Sequence, residues 1–256
     1  MESAPLLSLR FNPTDDLLAA TRECEAAVFL RAYGNTREQL ADEYGPYEDA
    51  SVFIALADDS GDVLGACRLI RPTAAGLKTL HDAARPPWSV DVDRSVRAAQ
   101  IDPARTWDFA TVGYRRGLKG AARMAGAALF HGLIQTVRAN DVGSAVMIID
   151  ERVRGLLAAA GMFGRTLPGT GPARYLGSAA STPVYEHCAQ AFDRQRSGNP
   201  DAFRLFVQGV GLDGVSVPPL SGFRLDQPAT KVIQPSARQP AEQLPAGQLP
   251  GIAANV

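Results

Sequence analysis

The stretch from Thr106 to Gly126, TWDFATVGYRRGLKGAARMAG, constrains the fold more than any other part of the chain. It opens as an apolar strand pattern, breaks into a basic turn holding Gly117 and Gly120, and enters an alanine-rich helix pattern. A strand that feeds a helix in this way belongs to a layered sheet-and-helix architecture. The start of such a helix carries unpaired N–H groups and about half a positive charge. Arg115, Arg116 and Lys119 stand beside it, and Gly117 and Gly120 let a ligand approach the backbone, so the turn is a candidate pyrophosphate cradle. Basic turns between strand and helix also occur where no ligand binds, and the turn by itself leaves both readings open.

The flanking segments supply the rest of the sheet. Asn12-Pro13-Thr14-Asp15-Asp16 offers a cap, a proline and two first-turn acids, which predicts a helix to about Leu30 with Leu17, Thr21, Cys24 and Val28 on its inner side. The polar, aromatic-dotted residues 31–50 read as a long binding loop. Ser51 to Ala57 and Val63 to Ile70 flank Asp58-Asp59-Ser60-Gly61-Asp62 and read as a β-hairpin. Residues 71–105 read as irregular, with a short helix at Asp93 to Ala99. Then follow a strand from Trp107 to Gly113, a helix from about Ala121 to Arg138, a buried strand from Ser144 to Ile149 and a helix from Glu151 to Ala160. Short strands near Phe163 to Leu167 and Arg174 to Leu176 precede a helix opened by Pro183, and Asp201 to Gln208 reads as further helical turns.

The fold class expected is α+β in α/β/α layers, with a mixed, mostly antiparallel sheet. Residues 1–210 form the domain, and residues 211–256, dominated by Pro, Gln and Ala, a disordered tail.

Composition narrows the function classes. With 256 residues, 46% hydrophobic and 21% charged, the chain can bury a core, and a formal net charge of −1 argues against a dedicated nucleic-acid binder. The longest apolar runs fall far short of the ~20 residues that span a bilayer. MESAPLLSLRF has an early Glu and no basic, apolar leader, so a cytoplasmic location is expected. Cys24, Cys67 and Cys188 show no metal or disulfide spacing, and His81, His131 and His187 no ligand spacing, so no metal is expected. Gly-x-Ser-x-Gly, Gly-x-Gly-x-x-Gly and Walker patterns do not occur.

This element order resembles the GNAT acyltransferase superfamily, whose members move an acyl group from a pantetheine thioester to an amine, over roughly residues 8–195. In that family a strand ends in an Arg/Gln-x-x-Gly-x-Gly/Ala turn that binds the donor's pyrophosphate. Gly117-Leu118-Lys119-Gly120-Ala121-Ala122 is similar to it, with Gly117 in place of the leading Arg or Gln. Val28-Phe29-Leu30-Arg31, Asp42-Glu43-Tyr44-Gly45-Pro46-Tyr47 and Cys67-Arg68-Leu69-Ile70-Arg71-Pro72-Thr73 resemble segments of the acyl-homoserine lactone synthases and N-acyl amino acid synthases. Ala110 and Thr111 depart from the Ser-Arg those synthases carry in the central strand, which puts autoinducer synthesis from S-adenosylmethionine in doubt.

The resemblance implies a coenzyme A or acyl-carrier-protein thioester as donor, no tightly bound cofactor, and a small amine as acceptor attacking directly. The donor would meet Val112, Gly113, Arg115, Arg116, Gly117, Lys119, Gly120 and Ala121, and the acceptor Arg31, Asp42 and Glu43. Asp108 is the candidate general base or water-positioning acid, or else a strand-end carboxylate paired with an arginine. Arg68, costly inside an apolar strand, meets Asp108, the acidic loop or an acceptor carboxylate. Tyr185 is read either as a general acid toward the thiolate or as a core residue. The alternative from another class is a non-catalytic acyl-CoA sensor or interaction module on the same fold.

Overall fold

The computed structural model describes residues 7–225 apart from Gly120, Ala121, Arg123 and Phe163. The described residues form one sheet of nine strands: β1 (Leu7–Phe11), β2 (Ser51–Asp58), β3 (Val63–Ile70), β4 (Thr106–Tyr114), β5 (Ser144–Asp150), β6 (Arg165–Thr166), β7 (Ala173–Tyr175), β8 (Ser178–His187) and β9 (Val215–Ser216). Their order is β6-β8-β5-β4-β3-β2-β1-β9, with β7 also paired to β8. Only β4–β5 and β1–β9 are parallel. This is the mixed, mostly antiparallel sheet expected from the sequence.

The helices are α1 (Asp15–Tyr33), α2 (Arg37–Tyr44), α3 (Lys78–Ala83), α4 (Val92–Ala99), α5 (Ala125–Ala139), α6 (Glu151–Ala159), α7 (Cys188–Gly198) and α8 (Pro200–Phe206). Side chains alternate across a strand, so the two sheet faces can be followed by parity. Cys67, Leu69 and Ala145 pack with Leu129 and Leu133 of α5, and Phe109 and Met147 join them. On the other face Ile70 packs with Ala26 of α1 and Tyr44 of α2, and Val146 packs with Leu80 of α3. Because helices cover both faces, β3 is buried at every position and shows no polar alternation.

Several expectations are corrected. β1 was not anticipated, although Leu7, Leu9 and Phe11 alternate with polar residues. Residues 31–50 are largely helical: α2 is held by a capping box between Thr36 and Gln39, and a 3-10 helix spans Gly45–Ala50. The irregular segment contains α3 as well as the expected α4. Pro183 and Tyr185 lie in β8 rather than in a helix, which starts only at Cys188. Residues 211–225, assigned to the tail, belong to the compact unit that ends at Leu225, since Phe223 is fully buried and β9 pairs with β1. The remainder of the expected tail lies outside the described residues. All three cysteines are buried and free.

Candidate active-site cleft

β4 and β5 part company in the middle of the sheet. They are paired in parallel only over Thr106–Asp108 and Ser144–Val146, although β4 runs on to Tyr114 and β5 to Asp150. A bulge starts the divergence: Arg68 of β3 faces Thr111 and Leu69 faces Phe109, so Ala110 is the extra residue and bends β4 away. Beyond this point the facing edges of the two strands have no ladder partner among the described residues, which leaves backbone donors and acceptors open to a polar ligand. The wedge is a cavity of about 230 Å³, lined from β4 by Asp108 to Val112 and from β5 by Met147 to Asp150.

Asp108 sits at the apex of the wedge and is 1% exposed. Thr79 donates to it twice, from the backbone N–H to Oδ2 at 2.5 Å and from its hydroxyl to Oδ1 at 3.0 Å. Burial pushes the Asp108 carboxyl up to about 7; the Thr79 hydrogen bonds and the Lys78 charge oppose this, and the Asp82 charge adds to it. A carboxyl poised near neutrality can exchange a proton with a substrate at working pH.

Beside Asp108 lies a network that sequence reasoning missed. The buried Lys78 ammonium donates to Glu43 Oε2 at 2.7 Å, Asp82 Oδ2 at 2.6 Å and the Tyr175 hydroxyl at 2.9 Å. Tyr175 in turn donates to Asp82 Oδ2 at 2.5 Å. Burial and the Asp82 charge raise the Tyr175 phenol, and burial raises that of Tyr44, whose hydroxyl reaches the carbonyl of the bulge residue Ala110 at 3.4 Å. At the far lip Asp150 caps α6; burial works against its charge, yet hydrogen bonds from Arg152 and Ser178 hold it at about 2.

The other sequence-predicted residues are distributed as follows. Val112 lines the cavity. Gly113 abuts α1, where a Cβ would come within 2.6 Å of Val28 Cγ1. Arg115, Arg116 and Lys119 are exposed on the turn after β4, which Gly117 reverses at a φ of +77°. Gly120 and Ala121 lie outside the described residues. The α5 helix starts at Ala125, later than expected, and no side chain among the described residues caps it. Glu43 reaches the site through Lys78, whereas Arg31 and Asp42 are exposed and outside the cavity lining.

Arg68 does not meet Asp108. Its Nη2 donates to Glu25 Oε2 at 2.7 Å and its Nη1 to Glu48 Oε2 at 3.0 Å, and its guanidinium lies 4.6 Å from the ring centroids of both Tyr44 and Phe53. Thr111 completes the arrangement by donating to Glu25. Arg68 therefore locks α1 and the Gly45–Ala50 turn onto β3 and does not line the cavity. Tyr185 faces the Leu77, Leu80 and Leu167 cluster, edge-on to His187, and is likewise outside the lining.

On the α5 side the wedge continues into an apolar chamber of about 110 Å³. The two share Phe109, Phe130, Leu133, Met147, Ile149 and Leu157, so the passage runs through the splayed strands into the core between the sheet, α5 and α7. Polar groups gather on the face that carries Asp108, and the lining of the chamber on the other face is mostly apolar, with Glu186 and Gln195 also in it.

No protein-family model matches the chain, and no curated protein sequence matches it. Solved structures do. FeeM, an N-acyl amino acid synthase from uncultured soil microbes, matches with a TM-score of 0.55 at 13% identity, over 74% of this chain and 94% of that chain. BjaI, a CoA-dependent acyl-homoserine lactone synthase solved with SAM and isopentyl-CoA, matches with a TM-score of 0.53 at 15% identity, over 86% of this chain and 97% of that chain. The chain has a GNAT-like fold resembling that of the acyl-homoserine lactone synthases.

Proposed function

We propose that this GNAT-fold protein is an N-acyltransferase that moves an acyl group from a pantetheine thioester, carried by coenzyme A or a carrier protein, to the amine of a small acceptor. The observation that carries this reading is the through-sheet passage: a wedge with a titratable carboxyl at its apex, opening on one side to polar groups and on the other to an apolar chamber. The two solved structures that share the fold, named as an N-acyl amino acid synthase and a CoA-dependent acyl-homoserine lactone synthase, support it.

The pantetheine arm would lie along the unpaired edges of β4 and β5, which offer it backbone hydrogen bonds. Arg115, Arg116 and Lys119 would hold its phosphates near the uncapped start of α5. The acyl chain would enter the Phe130, Leu133 and Met147 chamber, where burial stabilises it by about 0.8 kcal/mol per methylene.

The acceptor arrives from the Lys78 and Asp108 side as an ammonium ion. Asp108 takes one proton, and the free amine attacks the thioester carbonyl. The C–N bond forms and the C–S bond breaks; the second amine proton is lost as the adduct collapses, and the thiolate leaves as thiol on taking up a proton. No covalent enzyme intermediate is needed. Arg68 and Tyr185 have no part in these steps.

The test is ligand-dependent stability followed by thiol release. A ligand at 100 times its Kd adds about 2.7 kcal/mol to the folded state. Coenzyme A, acetyl-CoA and longer acyl-CoAs should raise the melting midpoint in that order, and a panel of amines should then release thiol. No stabilisation by any acyl-CoA and no release from acyl-CoA or acyl-carrier protein would remove the reading. Stabilisation without release under any amine would leave an acyl-thioester sensor.

A further inference from the structure

The polar side of the wedge has a one-sided hydrogen-bonding character. Its charged and most strongly held side-chain donors are spent within the protein, while the Tyr33 and Ser181 hydroxyls also stand in the lining. Lys78 has three N–H bonds, and three acceptors take them: Glu43, Asp82 and the Tyr175 oxygen. Tyr175 gives its proton to Asp82, Thr79 gives both of its donors to Asp108, and Thr111 and Ser178 donate to Glu25 and Asp150. Acceptors, by contrast, remain open. Asn35, at 7% exposure and in the cavity lining, has a buried Oδ1 with no hydrogen-bond partner. A buried acceptor left unmade costs free energy, so an unpaired amide oxygen on a residue of the cavity lining marks a place for a ligand donor.

Charge points the same way. Among the described lining residues the carboxylates are Asp82, Asp108 and Asp150, and the only cation is Lys78. Arg68, the guanidinium that an acceptor carboxylate would otherwise use, is enclosed by Glu25, Glu48, Tyr44 and Phe53. A free carboxylate entering this wedge would meet Asp82 and Asp150, with Asp108 as well once it ionises, and no uncommitted cation among the described lining residues.

We propose that the acceptor is an amine without a carboxylate that carries a second donor-bearing group, as an aliphatic diamine does: one nitrogen reacts beside Asp108, and the other donates to Asn35 Oδ1 and the Asp82 carboxylate. This rests on the acyltransferase reading above and narrows its acceptor. α-Amino acids, which bring a carboxylate with the amine, are disfavoured by the same groups that hold a diamine.

The experiment compares matched pairs that differ by the carboxylate alone, putrescine against ornithine and cadaverine against lysine, with pentylamine as the single-nitrogen control. The readout is thiol release from the acyl-CoA that stabilises the protein most, or from acyl-carrier protein if none does. The decarboxylated member of each pair should exceed its amino acid by about 10-fold or more in kcat/KM, since like-charge juxtaposition costs several kcal/mol. Cadaverine should exceed pentylamine in the wild type, and Asn35→Ala should shrink that ratio through KM, with urea unfolding reporting that the variant still folds. Asp82→Ala, which returns one Lys78 N–H to the cavity, should narrow the gap within each pair. Amino acids that match or exceed their amines would overturn the inference while leaving the transferase standing. Absence of thiol release with every amine would overturn both.

Discussion

Asp108 offers a test that needs no substrate. Its carboxyl stands near 7 in the fold because it is buried, against an ordinary value of 3.8. At 1.36 kcal/mol per pH unit the difference is worth about 4 kcal/mol. Since the folded-state value is raised, this contribution is fully present below about pH 4, where folded and unfolded chains both hold the proton. It is lost progressively as pH rises toward 7, where the unfolded chain has ionised but the native carboxyl still binds its proton, and it stays lost above about pH 8. Asp108→Asn removes the titration while keeping an acceptor for Thr79. Urea unfolding of both proteins at half-unit steps from pH 4 to 9 gives the difference in stability at each pH. Any constant cost of the substitution cancels from the trend, and so do the other carboxylates, which both proteins share. The asparagine variant should gain on the wild type by about 1 kcal/mol per pH unit between pH 4 and 7 and then hold level. A difference that is flat with pH would mean that Asp108 titrates like a solvated aspartate, and the argument for a poised base would fall with it.

Four further outcomes follow from the geometry. The wild-type kcat/KM for thiol release should rise with pH through about 7 as Asp108 loses its proton, and Asp108→Asn should lower the plateau and erase that rise. Glu25→Ala leaves the buried Arg68 with only Glu48 for a carboxylate and should cost about 3–5 kcal/mol in urea unfolding, whereas Glu25→Met with Arg68→Met should recover much of that loss. Reversing charge at Arg116 and Lys119 should weaken coenzyme A by about 10-fold at low salt, with a difference that shrinks as salt is added, as calorimetry can show. Ala191→Phe projects into the apolar chamber and should abolish the extra thermal stabilisation that longer acyl chains give over acetyl-CoA.

The sheet was legible where local pattern and local structure coincide. The β2–β3 hairpin, the β4 strand with its basic turn, and the β5–α6 unit are each written within about twenty residues by apolar runs and turn residues. Reading failed where a residue's meaning depends on a distant partner. Pro183 suggested a helix start, yet in β8 it stands just past the end of β6, where only its carbonyl is used, accepting from Leu167 N–H at 2.9 Å. The Lys78, Thr79 and Asp82 cluster sits on a six-residue helix with three prolines in the segment around it. Its one local signal was the spacing of Leu77, Leu80 and Ala83, which now form the buried side of α3. What those three polar residues do is set by Asp108, Glu43 and Tyr175, which lie 29, 35 and 97 positions away from their partners in the chain.

The same distinction separates the two charged residues that the central strands display most openly. Arg68 and Asp108 both sit inside apolar strands on the same face of the sheet, and from the sequence an ion pair between them is an economical answer. The bulge at Ala110 and the approach of α1 separate their fates. Glu25 of α1 reaches Arg68 first, with Glu48 and two aromatic rings closing the remaining directions, so the arginine is fully committed to holding helix to sheet. Asp108 is left without a guanidinium and takes two neutral donors from Thr79 instead, which stabilise its ionised form less than a bidentate arginine would. An Arg68–Asp108 pair would have held that carboxyl low and made it unfit to accept a proton from an ammonium ion. The structural ion pair on α1 is thus a condition for the proposed proton transfer at the apex of the wedge: by occupying the arginine, Glu25 leaves the aspartate free to titrate near neutrality.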